Sequence, residues 1–409
     1  MSVKLAANSK HIAFLDVGTS KAVILVAEKN TSVNAEPNIS AHVVAPLKAV
    51  KKGAVVDADH LIDTVSKLIE EAQLMSGRTI DRLVIGFSHP AMRGVNTYGV
   101  IAMSGETVCQ EHLDHVNRVA SSVVMASEET IFHMASAQTK VNHKPVSDPM
   151  GLEAVRLEVA GHLVLGPSDI IQSFRLMASN LGVQLLAVYH SGIAACWEVF
   201  RQNRLNRFCC IDMGAGSTDL VFWDENTVMA SDVIPIAGDH ITNDVAISLR
   251  IPQAIAHQLK QQIDLSQDYA ADDYLVCQVG SVKHRIQKRK VKKIVEARVG
   301  ELLSMIKKKI RANLKQDSES LPIVMTGGTS NMSGFHTFCQ QSFPWPILQC
   351  QQSLMWSQGQ ETEDNVTYMV AQGLTQFFNC QQELSEANTV DVEASWWGKL
   401  KQVIEENIV

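Results

Sequence analysis

The chain has 409 residues, more than a single core usually holds, so at least two domains are predicted. Its 46% hydrophobic and 19% charged residues are typical of a globular protein and exclude a disordered one. The net charge of −7 and pI near 6.1 argue against a general nucleic-acid binder. Eight cysteines without a Cys-x-x-Cys pattern favour a reduced compartment over a disulfide or zinc framework.

Neither a signal peptide nor a membrane-spanning helix is predicted from the hydropathy pattern. Residues 1–10 are polar and basic and lack the apolar core of a signal peptide. No segment offers 18 uninterrupted apolar residues, and the longest candidate, 181–197, is interrupted by Gln184, His190 and Ser191. That candidate is therefore interpreted as a buried strand and helix.

The first predicted element is a strand-turn-strand hairpin around Asp16. An apolar run ends in Asp16-Val17-Gly18-Thr19-Ser20-Lys21, and a second apolar run follows at 23–27. Glycine permits the close backbone approach that a phosphate needs, and the N–H groups and hydroxyls donate to it. Asp16 could hold the hydrated Mg²⁺ that accompanies a polyphosphate. Taken alone, the same pattern more often marks a plain turn.

The next segments alternate helix and strand patterns. Apolar spacing predicts a helix over 57–75 and a strand over 82–87. From 88 to about 166 the pattern changes to a glycine-punctuated stretch, with a helix near 111–122 and strands around 129–143 and 152–159. A helix over 169–181 then returns to the first unit, and a helix follows near 190–200.

A second hairpin repeats the first about 200 residues later. The run 207–213 ends in Asp212-Met213-Gly214-Ala215-Gly216-Ser217-Thr218-Asp219, and another apolar strand follows at 220–223. Two matched Asp-x-Gly turns predict two related lobes that face one nucleotide. Asp212 would then share the Mg²⁺ with Asp16.

A third glycine turn follows the strand 321–325, at Thr326-Gly327-Gly328-Thr329. Open α/β sheets bind ligands beyond the carboxyl ends of their strands. An ordinary connection from strand to helix is the alternative interpretation.

The order of these three motifs resembles the actin, Hsp70 and sugar kinase superfamily, in which the first two bind phosphate and the third lies beside the adenosine. The stretch 234–246 with Gly238-Asp239-His240-Ile241-Thr242-Asn243-Asp244, the segment 295–303 and an amphipathic C-terminal helix resemble FtsA, the bacterial divisome actin. This resemblance runs from about residue 10 to the end. It implies an α/β actin-like ATPase fold of two lobes, each a mixed sheet with helices, and ATP and Mg as cofactors.

The resemblance also implies a division of the chain. The expected parts are the lobe-one core (1–87 and 167–205), an FtsA-type inserted subdomain (88–166), the lobe-two core (206–237 and 321–380), a small subdomain of lobe two (238–320), a flexible linker (381–394) and an amphipathic membrane-targeting helix (395–409). Hinge helices are expected at 190–200 and 367–378.

The expected nucleotide-binding residues come from the three turns and two neighbouring positions. They are Asp16, Gly18, Thr19, Ser20, Lys21, Asp212, Gly214, Gly216, Ser217, Thr218, Asp219, Gly238, Lys260, Gly327, Gly328 and Thr329. Asp16 and Asp212 are the expected Mg residues, acting through water.

Two departures from the family pattern bear on catalysis. Actin-like ATPases usually have a Gln or Glu near the first hinge crossing that orients the attacking water, but residues 188–192 contain neither. Slow or absent hydrolysis is expected, and no catalytic residue is assigned. The family pattern Ala-Glu-x-x-Lys is Ala256-His257-Gln258-Leu259-Lys260 here, which predicts retained binding with weaker nucleotide selectivity.

The tail pattern predicts a membrane-binding helix. On a helical wheel Trp396, Trp397, Leu400, Val403 and Ile404 share one face, and paired indoles suit a membrane interface. The helix carries two acids for two lysines, so attraction to anionic lipids adds little, and avidity in a polymer would have to supply the rest. A helix docked on the protein's own core is the alternative.

A basic region between 283 and 309 stands out in an acidic chain. FtsA-like proteins use this small subdomain to hold the C-terminal peptide of FtsZ, the tubulin-like division GTPase. Arg298, Lys292 and Lys293 are the expected contacts. The alternative is an ordinary solvated helix face.

Together the resemblance implies a peripheral protein of the cytoplasmic face of the inner membrane at the division septum. It would polymerise, bind lipid, tether the FtsZ ring and recruit later division proteins, without binding nucleic acid. A PilM-type pilus-assembly homologue is the nearer rival and normally lacks a lipid-binding tail. A small-molecule kinase would need a catalytic Asp in a substrate cleft. An Hsp70-like chaperone is disfavoured because no peptide-binding β-domain follows lobe two.

Overall fold

The structure is a computed structural model that describes residues 11–28, 38–225, 227–313, 321–350 and 365–386. It contains two five-stranded mixed sheets, each covered by helices. The α/β class predicted from the sequence is confirmed.

The first sheet begins with the predicted Asp16 hairpin. Its strands pair antiparallel in a register that places Asp16 opposite Val23. The elements up to the insertion are β1 (His11–Val17), β2 (Lys21–Glu28), β3 (Ile39–Pro46), β4 (Val50–Lys51), β5 (Ala54–Val55), α1 (Ala58–Ser76) and β6 (Arg82–Phe87). The helix predicted over 57–75 is confirmed as α1: the Asp57 carboxylate accepts from the His60 N–H, and Gly77 ends the helix in a left-handed conformation.

An inserted unit follows β6 and has a sheet and core of its own. Its elements are β7 (Arg93–Thr107), α2 (Gln110–Ser121), β8 (Glu129–Val141), β9 (Lys144–Val146) and β10 (Glu153–Pro167). The strand order is β7-β10-β8-β9. Leu113 and Val116 of α2 pack against Ile101 and Leu157 of the sheet, so the unit buries one face of its own sheet.

The chain then returns to the first sheet through three elements. They are α3 (Ser168–Leu181), β11 (Gln184–His190) and α4 (Ser191–Asn203). Strand β6 lies parallel to β1, and β11 lies parallel to β6, which gives the order β3-β2-β1-β6-β11.

The second sheet repeats this arrangement. Its lobe contains β12 (Arg207–Met213), β13 (Thr218–Asp224), β14 (Thr227–Ile234), α5 (Gly238–Leu249), α6 (Gln253–Gln261), β15 (Tyr274–Val279), β16 (Val282–Gln287), α7 (Lys288–Asn313), β17 (Ile323–Thr326), α8 (Phe335–Ser342), β18 (Ile347–Gln349), a 3₁₀ turn (Asn365–Tyr368) and α9 (Met369–Glu386). The order β14-β13-β12-β17-β18 matches that of the first sheet strand for strand, with β17 parallel to β12 and β18 parallel to β17. The two hairpins therefore occupy equivalent central positions.

Helices α4 and α9 cross between the two sheets. At the crossing, a methyl group on Gly373 would collide with the backbone of Ala194, so the two helix backbones are in direct contact. Around it the rings of Tyr189 and Phe377 lie 4.7 Å apart and those of Trp197 and Trp223 lie 5.1 Å apart. One hydrophobic core thus continues from the first sheet through the crossing helices to the second.

The end of the described chain corrects one boundary. Helix α9 continues to Glu386, so residues 381–386 of the expected linker are helical. Gln381 is buried, and its amide donates to the carbonyl of Met134. The rest of that linker and the membrane-targeting helix, with Trp396 and Trp397, lie outside the described residues. Among the described residues, no helix is both long and apolar enough to cross a membrane.

Candidate functional site

A cavity of about 580 Å³ lies between the two sheets, at the point where both hairpin turns open toward each other. The structure brings nearly all the expected nucleotide-binding residues to its wall. They are Asp16, Gly18, Thr19, Ser20, Lys21, Asp212, Gly214, Gly216, Ser217, Asp219, Gly238, Lys260, Gly327, Gly328 and Thr329. The pairing of the two Asp-x-Gly turns across one cleft, expected from the sequence, is therefore present.

Thr218 is the exception among the expected residues. It is the first residue of β13, it is fully buried, and it does not line the cavity. Its hydroxyl donates to the carbonyl of Ile236 at 2.8 Å. Side chains alternate along a strand, so Ser217 and Asp219 reach the cavity while Thr218 points into the protein.

The two turns are built alike and touch each other. The Gly18 N–H donates to the carbonyl of Lys21 at 3.0 Å, and the Gly214 N–H donates to that of Ser217 at the same distance. A methyl group on Gly216 would collide with the Thr19 side chain. Glycine at 216 thus allows the backbones of the two turns to approach the same small volume.

The third glycine turn braces the second. Gly327 has a φ of 86°, in the left-handed region, and a methyl group there would collide with Asp212 and with the backbone of Met213. Thr329 donates twice to the second turn, from its N–H to the carbonyl of Met213 and from its hydroxyl to that of Gly214. A residue with a side chain at 327 would push the Asp212 turn out of place.

Helix α5 starts against the same turn. The N–H groups of Gly238 and Asp239 donate to the carbonyls of Gly214 and Ala215, at 3.2 and 2.8 Å. Lys260 of α6 is buried and donates to the Gly238 carbonyl at 3.0 Å and to the Thr242 hydroxyl at 2.9 Å. The second turn is therefore held from three sides, by α5, by α6 through Gly238, and by the loop 327–329.

Three carboxyl groups line the cavity close to one another. The pKa of each of Asp16, Asp212 and Asp219 is raised to about 7, chiefly because the cavity wall removes water from the carboxylates. Repulsion from Asp212 raises the pKa of Asp16 further, and repulsion from Asp219 does the same for Asp212. Lys21 opposes both shifts. The carboxylates are desolvated and repel one another, and Lys21 offsets this only in part. A bound cation would stabilise their charged forms.

Two lysines face the cavity in different ways. The ammonium of Lys21, at the end of the first turn, donates to the hydroxyl of Thr367 in the 3₁₀ turn at 2.6 Å. The ammonium of Lys260 is tied to its own lobe, and burial lowers its pKa to about 8. Lys21 thus joins parts of the chain separated by 346 residues, whereas Lys260 stabilises the start of α5.

At the first hinge crossing, none of residues 188–192 is a Gln or Glu that could line the cavity. The residue there is Ser191, which follows β11 directly. Behind it, His190 is buried, its pKa lowered to about 4 by that burial, and its Nε2 lies 4.0 Å from the carboxylate of Asp219. A neutral imidazole and a carboxylate therefore stand where the family's water-orienting side chain was expected.

Several lining residues were not expected from the sequence. They are Val50, Phe87, Ser88, Ser191, Asp239, His257, Gln261, Asn331, Met332, Ser333, Val366, Thr367 and Val370, besides Val17 and Ala215 within the turns themselves. Ser88 and Ser191 directly follow the parallel strands β6 and β11, so the rule that ligands bind at strand carboxyl ends would have indicated them. Thr367 has no such signal, because only tertiary contact brings it to Lys21.

The expected partner-binding residues lie on α7. Arg298 donates from Nε and Nη2 to the carboxylate of Asp244 at 2.6 and 3.0 Å and from Nη1 to Glu301 at 2.6 Å. Lys292 donates to the carbonyl of Gln267 at 2.6 Å, whereas Lys293 is exposed. Arg298 is thus paired with two acids of its own lobe, whereas Lys293 faces solvent.

Two family models match the chain over more than half of its length. The model described as cell division protein FtsA matches residues 209–373, and that of the SHS2 domain inserted in FtsA matches residues 90–165. The chain belongs to the FtsA family. The second match coincides with the inserted unit formed by β7 to β10, so this unit is the insertion characteristic of FtsA.

Relatives and solved structures agree with this assignment. The chain is 28% identical to cell division protein FtsA of Pseudomonas aeruginosa over 83% of its own length and 82% of the relative's. The PilM–PilN type IV pilus biogenesis complex has a similar fold, with a TM-score of 0.61 and 15% identity over 89% of this chain and 97% of that one. MreB5 of Spiroplasma citri bound to AMPPNP has a TM-score of 0.54 and 13% identity over 93% and 100%. The FtsA-family chain therefore has an actin-like fold.

Proposed function

We propose that this FtsA-family protein is an ATP-binding cell division scaffold that polymerises on the cytoplasmic face of the inner membrane at the septum. There it tethers the FtsZ ring and recruits later division components. The observation that carries the proposal is the cavity of about 580 Å³ in which two equivalent Asp-x-Gly turns meet. The solved MreB5 relative holds AMPPNP, which supports a nucleotide as the ligand.

The residues of the cavity fit an adenine nucleotide with Mg²⁺. The N–H groups and hydroxyls of the two turns, with Lys21, would bind the phosphates, and the loop 327–329 with Lys260 would flank the adenosine. Asp16 and Asp212 would hold the Mg²⁺ through water, because Mg²⁺ gives up its bound waters reluctantly. The ion would supply the positive charge that the three raised carboxyl pKa values indicate is missing.

Filter binding with radiolabelled ATP tests this assignment. Asp212→Ala should reduce retention at least about tenfold, since it removes a group that orders the Mg²⁺ and its water. Asp224→Ala is a matched control on the same hairpin, at its far end, where Asp224 only pairs with Arg207. Wild-type retention by Asp212→Ala would show that the phosphate assignment is wrong.

Hydrolysis is proposed to be slow. Ser191 cannot replace the Gln or Glu of faster relatives as a water-orienting group, and Asp219 is already bonded to the Ser88 hydroxyl at 2.6 Å. Phosphate release measured over an hour should stay near one turnover or below. Rapid multiple turnover would contradict this part of the proposal.

The FtsZ tail is proposed to bind the small subdomain of lobe two (238–320). To bind the peptide, Arg298 would have to break its hydrogen bonds with Asp244. Lys293 is exposed and would not have to break a bond of this kind. In a titration with a labelled FtsZ C-terminal peptide, Arg298→Glu and Lys293→Glu should each weaken binding. Unchanged affinity in both variants would place the peptide elsewhere. Arg298→Glu also breaks the ion pair between α7 and α5. Its midpoint of thermal unfolding shows whether weaker binding reflects a lost peptide contact or a destabilised subdomain.

Membrane attachment is proposed to come from residues 395–409. Flotation with liposomes of mixed zwitterionic and anionic lipids should carry the full-length protein, and less of it when Trp396 and Trp397 are both replaced by Glu. Equal flotation of the two would refute the anchor. Addition of ATP should raise flotation if polymers hold the membrane through many weak tails.

A further inference from the structure

The inserted unit is joined by its chain to lobe one but bonded to lobe two. It leaves lobe one after β6 and returns directly into α3. Yet Asn96 of β7 donates from Nδ2 to the carbonyl of Met229 at 3.0 Å, and His162 of β10 lies 2.8 Å through Nε2 from the Ser231 hydroxyl. Met229 and Ser231 belong to β14, the edge strand of the second sheet.

These groups form one continuous hydrogen-bonded chain. His162 is buried, and its Nδ1 lies 2.6 Å from Asn96 Oδ1, an atom that can only accept. In the neutral imidazole, Nδ1 therefore carries the proton, and Nε2 accepts from the Ser231 hydroxyl. Asn96 is thus bonded to its own subdomain through Oδ1 and to β14 through Nδ2. We call Gly94, Asn96, His162, Met229 and Ser231 the insertion latch.

The latch is closely packed as well as hydrogen-bonded. A methyl group on Gly94 would collide with both the His162 ring and the Ser231 hydroxyl. Because interiors at this density do not deform continuously, any movement of β14 relative to β7 must break the contact or carry the inserted unit with it.

A second contact links the inserted unit to the cavity. Ser88, which directly follows β6, donates to Asp219 at 2.6 Å, and both side chains line the cavity wall. Asp219 is on β13, the strand that pairs with β14, two residues from the position that faces Ser231. Elsewhere, His133 of β8 accepts from the N–H of His190, the last residue of β11, directly before α4. The inserted unit therefore touches the cavity wall, a hinge helix and the edge of lobe two.

We propose that the insertion latch couples the occupancy of the cleft to the orientation of the inserted subdomain. A ligand that closes the lobes holds β14 against β7 and β10 and keeps the latch formed. An open cleft withdraws β14, and the subdomain, which still packs on lobe one through Phe132 and His133, loses its bonds to lobe two and can shift. The surface that the subdomain presents to other proteins then depends on the nucleotide. This inference rests on the proposed nucleotide site and adds its regulation.

Coupling of this kind is reciprocal, so breaking the latch must weaken nucleotide binding even though no latch residue lines the cavity. Asn96→Ala and Ser231→Ala in the full-length protein each remove latch hydrogen bonds and leave the buried His162 ring in place. Each should lower the affinity for MgATP at least about fivefold in an equilibrium titration. Tyr98→Phe is the matched control, because Tyr98 is on the same strand but bonds to Glu158 within the inserted unit.

Hydrogen exchange provides the second readout. In the wild type, MgATP should slow exchange of the β14 amides and of residues 93–97 at least about fivefold, and this protection should be lost in Asn96→Ala and Ser231→Ala but kept in Tyr98→Phe. If the wild type binds ATP and both latch variants bind it equally well with full protection, the latch is refuted. If the wild type does not bind ATP at all, the proposed nucleotide function falls, and the regulatory inference falls with it.

Discussion

The two lobes share one strand order, yet their Asp-x-Gly turns are supported differently. The turn after Asp212 accepts hydrogen bonds from Gly238, Asp239 and Thr329, and it packs against Gly327. The turn after Asp16 is linked outward by the Leu47 N–H, which donates to the Ser20 carbonyl, and by Lys21, which reaches Thr367. Under the proposed function this difference predicts a division of labour, in which the lobe-two turn holds the phosphates in fixed positions and the lobe-one turn adds the charge of Lys21.

The edge strands of the two sheets also differ in their contacts, and again lobe two has the additional hydrogen bonds. Strand β14 of lobe two hydrogen-bonds to the inserted subdomain, whereas the equivalent strand β3 of lobe one packs against α1 of its own lobe. Two sheets with the same strand order can thus have different neighbours at equivalent edge strands. The insertion makes lobe two the more constrained partner at both the turn and the edge.

The largest effect is expected from Gly327→Ala, which disturbs the packing of the loop 327–329 against the Asp212 turn. The side chain would meet Asp212 and the Met213 backbone at a left-handed φ, so the free energy of unfolding should fall by roughly 4 kcal/mol. Affinity for ATP should fall at least about 100-fold, because the turn must shift. Urea denaturation and ATP titration measure the two effects.

Gly105→Ala is the control for that substitution. Gly105 has a φ of 81°, but a methyl group added there would meet no neighbouring atom, so it reports the backbone cost alone, about 1 kcal/mol. Equal effects at 105 and 327 would show that the bracing of the Asp212 turn is unimportant.

An intermediate effect is expected from the two lysines, and it should separate the roles of the two lobes. Lys21→Ala should weaken ATP binding about tenfold, by a factor that shrinks as salt is added, because it removes a cation from the phosphate end. Lys260→Met should weaken ATP binding less than Lys21→Ala and should mainly lower the free energy of unfolding, by about 1 to 2 kcal/mol, since it breaks two buried hydrogen bonds. The reverse pattern would contradict the division of labour.

The smallest effect concerns the edge strand of lobe two and its pH dependence. Burial, with repulsion from His190, lowers the pKa of His162 to about 4, whereas an unfolded chain protonates it near 6.5. Stability from this group is complete above pH 6.5 and is lost as the pH falls toward 4. Between about pH 7.5 and 5.5 the wild type should lose about 1 kcal/mol more unfolding free energy than His162→Gln.

Urea denaturation at the two pH values measures this difference. His133 and His190 are present in both proteins, and burial is the largest cause of the lowered pKa of each, so their contributions largely cancel. Equal pH dependence in wild type and His162→Gln would mean that β14 does not shield the imidazole.

The sequence was a good guide where chemistry is local. The Asp16 and Asp212 turns, the strands before them and the helix α1 follow from short patterns of apolar and glycine residues. The contacts that join the turns to distant elements did not follow from such patterns. Lys21 meets Thr367 and His162 meets Ser231 only because the tertiary fold brings them together, and polar residues in contact leave no periodic signal.

Two expectations differ from the structure. Residues 381–386 are polar enough for a linker, but they continue α9, and Gln381 is buried against Met134. Thr218 is a hydroxyl residue within a turn motif, but its place on β13 directs its side chain to Ile236. Neither the buried contact of Gln381 nor the face of the strand on which Thr218 lies follows from the residue type alone.

The contact between Gly373 and Ala194 has a mechanical consequence. The two helix backbones touch there. A rearrangement that keeps this contact therefore rotates the lobes about it and does not slide them past each other. A swing that shifts the cavity wall slightly produces a larger displacement at sites farther from the pivot. The periphery of the molecule is therefore where a change of nucleotide would be easiest for other proteins to detect.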